Sequence, residues 1–114
     1  MKLRNEQRVE RETVLPADPD EVWEHLTDDD RLAEWLGDDL ERDVEEVVEH
    51  ERVSFTWERP DEGPSRVEFA IEAVPSGTRL VVTETRIAGP VALAGARWDT
   101  ALLQLGRAVL LVPA

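Results

Sequence analysis

Pro19-Asp20-Glu21-Val22-Trp23-Glu24-His25-Leu26-Thr27, followed by Leu32-Ala33-Glu34-Trp35-Leu36-Gly37, is the stretch that decides the fold. Asp18 serves as N-cap, Pro19 takes the first helical position, where no N–H is needed, and Glu21 takes the third, a capping-box arrangement. Val22, Trp23 and Leu26 give this short helix an apolar side. Asp28, Asp29 and Asp30 restart a helix, their charges favoured at its positive end. Leu32, Trp35 and Leu36 form its buried face, and Gly37 is the natural stop.

Outward from these helices the pattern changes to period two. Upstream, residues 8–15 read as a strand with Val9, Arg11, Thr13 and Leu15 on one face, ended by Pro16. Downstream, Val53, Phe55 and Trp57 alternate with polar residues. So do Val67, Phe69, Ile71 and Ala73, and then Leu80, Val82 and Glu84. Each run predicts a half-buried antiparallel strand. Turns are expected at Pro60-Asp61-Glu62-Gly63-Pro64 and, as a tight hairpin, at Pro75-Ser76-Gly77. Residues 38–51 hold eight acidic residues and one Arg, with a weak strand within 43–49. After Gly89-Pro90 helical spacing returns, with Trp98, Leu102, Leu105, Val109 and Val112 on one face. Leu103 and Leu110 share a shoulder outside it.

The layout predicts an α+β fold. A curved antiparallel sheet of about five strands carries two short helices after the first strand, and a long C-terminal helix lies across its concave face. At 114 residues the chain is expected to form one domain, 1–114, with residues 1–7 a flexible N-terminus. The net charge of −13 repels phosphate backbones, which argues against nucleic acid and anionic membrane surfaces as partners. There is no Cys, so disulfides and thiolate metal sites are excluded. Met1-Lys2-Leu3-Arg4 lacks the apolar core of a signal peptide, and charges at Arg97, Asp99 and Arg107 interrupt the C-terminal apolar stretch. A cytoplasmic protein is the expectation.

The order Val22-Trp23, Trp35-Leu36-Gly37, Phe55-Thr56-Trp57-Glu58, Gly77-Thr78-Arg79-Leu80 and Arg97-Trp98 with Leu102 and Leu105 resembles the SRPBCC (START-like, helix-grip) superfamily. Within it, the chain looks most like the branch related to the C-terminal domain of the activator of the 90-kilodalton heat-shock-protein ATPase. The resemblance implies a cavity between the concave sheet and the last helix. It also implies about two further strands before Phe55-Thr56-Trp57, a place where this chain has only residues 38–52. The sheet is therefore expected to be small, with an open edge that invites a second copy, helped by Leu103 and Leu110.

Candidate pocket-lining residues are Trp35, Phe55, Trp57, Phe69, Leu80, Val82, Trp98 and Leu102, which either shape an apolar ligand site or fill the core. Glu84 alternates with Leu80 and Val82, so its carboxylate faces inward and needs a partner. In a helix-grip fold the first strand neighbours the last, which makes Arg11 that partner. The pair either anchors a polar ligand, supplies a general acid or base, or is structural. His25 and His50 lack ligand spacing, so no metal or cofactor is expected. Ser54, Ser65 and Ser76 lack the surroundings of a nucleophile. Three functions follow: a binding module for a small apolar or amphipathic ligand without catalysis; a chaperone-linked interaction protein, as the resemblance implies; or a cyclase- or hydrolase-like enzyme using Glu84 or Arg11.

Overall fold

The computed structural model describes residues 8–37, 41–59, 63–86 and 94–110. The expected flexible segment at 1–7, the residues Pro60-Asp61-Glu62, Gly89-Pro90 and Val112 lie outside them. Strand β1 (Arg8–Leu15) is followed by helices α1 (Pro19–Thr27) and α2 (Asp29–Leu36). Four strands come next: β2 (Arg42–Val48), β3 (Arg52–Arg59), β4 (Gly63–Val74) and β5 (Gly77–Arg86). Helix α3 (Ala94–Leu110) follows. The strands form one antiparallel sheet in the order β1-β5-β4-β3-β2. This is the helix-grip architecture, with α3 the last of the three helices and lying across the concave face.

The local chemistry of the two short helices explains why they are two. The Asp18 carboxylate accepts from the Glu21 N–H at 3.0 Å. Asp28 works twice: its N–H closes α1 on the Glu24 carbonyl at 3.0 Å, and its carboxylate accepts from the Arg31 N–H at 3.2 Å to open α2. One residue thus caps both helices and sets the bend between them. The bend lets Trp35 reach back, its indole N–H donating to the His25 carbonyl at 2.8 Å.

One face of the sheet is apolar and the other is charged. Val53, Phe55 and Trp57 of β3, Val67 and Phe69 of β4, and Leu80 and Val82 of β5 are all buried beneath the helices. On α3 the buried positions are Gly95, Trp98, Ala101, Leu105 and Val109, and Leu102 is partly buried against the core. The outer face carries ion pairs: Arg66 with Glu45, Arg52 with Glu46, and Arg79 with Glu72 and Glu12. The hydrogen bond to Glu72, and the charges of Glu72 and Glu12, raise the Arg79 pKa above its ordinary value. Exposed pairs of this kind add little stability each.

Where β4 turns into β5, Gly77 has φ +144°, and a Cβ there would lie 2.0 Å from the Leu15 carbonyl oxygen of β1. Gly106, within α3, has nothing within 4 Å of such a Cβ. Gly77→Ala is expected to destabilise the fold by about 2 kcal/mol or more, whereas Gly106→Ala stabilises it by about 0.5–1 kcal/mol through helix propensity. Urea unfolding of both variants checks the pair, and a reversed order would contradict this account of the two positions.

Candidate functional site

Five of the chain's aromatic residues come from four elements and meet in one cluster under α3. Trp57 of β3 and Trp98 of α3 are stacked, with ring centroids 5.8 Å apart and planes 15° apart. Phe69 meets Trp98 edge-on at 5.9 Å and Phe55 at 5.5 Å, and Trp35 lies 5.6 Å from Phe69 and 6.4 Å from Trp98. Such contacts add about 0.5–1.5 kcal/mol per pair beyond the area they bury. The space expected to hold a ligand between sheet and terminal helix is occupied at its centre by these rings.

Glu84 lies against that stack at 1% exposure. Its Oε1 accepts from the Trp98 indole N–H at 2.8 Å. Its Oε2 accepts from the Ser65 hydroxyl at 2.5 Å and from the Trp57 indole at 3.3 Å, and the Arg86 guanidinium stands 3.7 Å away. The Trp57 N–H also donates to Ser65 Oγ at 2.9 Å. A charge this far from water is expensive unless donors surround it, and here three strands and a helix provide them. The register explains how: Ser65 is the partner of both Trp57 on β3 and Arg86 on β5, so all three project from one line across the sheet beside Glu84.

Arg11 is not in this network, which corrects the sequence expectation. It is opposite Val82, whereas Glu84 is opposite Val9. Its guanidinium extends to the margin of the sheet, where Nε donates to Asp99 of α3 at 2.8 Å and a terminal nitrogen donates to the Glu10 carbonyl. It also lies over Gly95, where a Cβ would come within 2.5 Å of it. Arg11 therefore fastens β1 to α3. The cation for Glu84 is Arg86, on the same strand and face.

Of the other expected lining residues, Trp35, Phe55, Trp57, Phe69, Leu80, Val82 and Trp98 are all buried, and Leu102 is partly buried at the edge. From the sequence Ser65 is weighed only as a nucleophile and Arg86 is not weighed, although the signal for both as neighbours of Glu84 is present. Ser65 is one step before Val67 in the alternation, and Arg86 one step after Glu84. His25, weighed from the sequence only as a metal ligand, is fully buried, with Nδ1 3.0 Å from the Glu21 carbonyl and Nε2 without a hydrogen-bond partner among the described residues.

Accessible space lies around this centre. A groove of about 720 Å³ runs between α2 and the ends of β2 and β3, bordered by Leu32, Ala33, Arg42, Thr56 and the edge of Trp57. Arg42 forms part of its wall, with its guanidinium 5.2 Å over the Phe55 ring and 3.0 Å from Asp29. A second groove, about 340 Å³, separates α1 from β2, and a recess of about 260 Å³ lies between α2 and α3 beside Trp35, Trp98 and Ala101.

A family model described as activator of Hsp90 ATPase homolog 1-like protein matches residues 38–109, more than half of the chain. No curated protein matches the sequence. Among solved structures, the chain is similar to protein MLL2253 from Mesorhizobium loti, with 19% identity, TM-score 0.82 and coverage of 94% of this chain and 99% of that one. It is similar to CalU16 from Micromonospora echinospora at 21% identity and TM-score 0.79, covering 91% and 76%. The Aha1 dimer from Colwellia psychrerythraea is 17% identical with TM-score 0.75, covering 91% and 96%. Identities at this level carry the fold and not an activity.

Glu84→Gln turns one acceptor into a donor facing other donors and removes the negative charge beside the buried Arg86 guanidinium. It is expected to cost about 3 kcal/mol in urea unfolding. A loss well under about 1 kcal/mol would show that water, not the indoles, satisfies this carboxylate.

Proposed function

This chain belongs to the activator of Hsp90 ATPase homolog 1-like protein family, and from that premise we propose that it is a cytoplasmic protein-interaction module which engages an Hsp90-type ATPase chaperone. The observation that carries the reading is the division of apolar surface. The aromatic side chains that would line a ligand cavity pack on one another instead. Meanwhile Val44, Val47, Leu103 and Leu110 stand 50–70% exposed on two separate faces. Large apolar side chains in water are a cost to a monomer and an asset to an interface. Self-association belongs to the same reading: the Colwellia relative is described as a dimer, and Leu103 and Leu110 lie two turns apart on α3, a spacing suited to a helix–helix contact.

A second reading, a small apolar or amphipathic ligand, rests on the recess between α2 and α3. Its walls combine Trp35, Leu36, Trp98 and Ala101 with Thr100 and Gln104, an apolar slot with polar groups at its rim. At about 260 Å³ it falls below the usual range for a drug-sized ligand, which makes this the weaker fit. Catalysis by Glu84 requires a carboxylate open to substrate, and its exposure of 1% with both oxygens already accepting hydrogen bonds does not support that role. Arg11, committed to Asp99, is equally poorly placed for it.

One experiment separates the two binding readings. Sedimentation of the chain with a bacterial Hsp90-type chaperone is expected to show a complex at up to about 100 µM, with a changed ATPase rate. No complex in that range, together with a co-purified small molecule in native mass spectrometry that Thr100→Trp displaces, would replace the interaction module with the ligand-binding one.

A further inference from the structure

Among the described residues the sheet ends at β2, and this end is open in two senses. β2 has β3 as its one strand neighbour among the described residues, so its other edge offers unpaired backbone N–H and C=O groups. Residues 43–47 are exposed without interruption, on both faces of the strand. Val44 and Val47 lie opposite Phe55 and Val53, on the face that elsewhere is covered by helices. Here the covering stops, and the groove of about 340 Å³ lies between the two valines and Trp23 and Thr27 of α1.

The unpaired charges around this edge, among the described residues, are acidic. Glu45 and Glu46 are met from the outer face by Arg66 and Arg52. Glu41, Asp43 and Glu49 are exposed and form no ion pair among the described residues. Two copies joined antiparallel along β2 would bring these carboxylates against one another, and like charges across strands are destabilising. A second copy is therefore a poor occupant. A strand whose polar positions carry Lys or Arg and whose alternate positions are apolar is complementary in both respects.

We propose that the free edge of β2 takes up an extended basic–apolar segment of a partner polypeptide as a sixth strand. Its apolar side chains lie on Val44 and Val47 beneath α1, and its cations meet Glu41, Asp43 and Glu49. The proposal rests on the interaction-module reading and names the surface and the partner chemistry. Strand addition draws affinity from main-chain hydrogen bonds and specificity from alternate side chains, which is the division of labour this edge offers. The register shift between Val44 and Glu46 interrupts the ladder and limits the length of chain that can pair. A short, salt-sensitive contact follows.

The test titrates the isotope-labelled full chain with a blocked peptide of about eight residues alternating Val and Lys, against a Val–Glu control. Amide shifts are expected to concentrate on residues 42–48 for the Val–Lys peptide. Binding should weaken at least about tenfold in Val44→Ser/Val47→Ser, whose exposed positions leave the fold intact, and comparably at high salt. Equal binding of the Val–Glu peptide would overturn the proposal. So would concentration-dependent shifts at 42–48 without peptide, which would assign the edge to a second copy. Shifts centred on Leu103 and Leu110 would overturn it while leaving the interaction module intact. No shift anywhere, with no chaperone complex, would sink both.

Discussion

A carboxylate removed from water has to be met by hydrogen-bond donors, and the donors have to arrive from somewhere. For Glu84 they arrive from β3, β4, β5 and α3 together: two indoles, a hydroxyl and a guanidinium. The Trp98 N–H contributes most to the architecture, because it is the contact that specifies where the terminal helix sits and how it is rotated. Apolar burial along Ala101, Leu105 and Val109 holds α3 down but is tolerant of small slides. A 2.8 Å hydrogen bond to a buried carboxylate is not tolerant of them. The stack of Trp57 on Trp98 follows from the same geometry, since both indoles point their N–H groups at one carboxyl.

The same arrangement bears on function. Two Trp, two Phe and the Trp35 ring occupy the centre of the space under α3, so the scaffold has spent its largest side chains on its own interior. What remains for recognition lies at the margins: the acidic, half-covered end at β2, and the outer stripe of α3. Arg42, held between Asp29 and the Phe55 ring, marks where the closed part ends and the open part begins.

Much of this could be read in the chain. The capped pair of short helices, the strands through Phe55, Phe69 and Leu80, and the amphipathic α3 each repeat a clear period over enough residues to identify them. Glu84 facing inward followed from the same alternation. Its partner did not, because pairing β1 with β5 leaves the register open: a shift of one pair of residues moves Arg11 from Glu84 to the margin, where Asp99 waits. Ser65 and Arg86 were missed as partners of Glu84 because a polar residue at the end of an alternating run looks like the end of the run. β2 was faint for a physical reason as well. Its register shift breaks the alternation, and exposure on both faces removes the selection for apolar residues that makes a strand visible.

The most direct test of the central interaction is hydrogen exchange of the four tryptophan indole N–H groups, followed by NMR. The account predicts that the Trp98 and Trp57 protons exchange slowly, at rates approaching those set by global unfolding. Rapid exchange of the Trp98 indole in the folded protein would contradict it, for the helix would then be held by apolar contact alone.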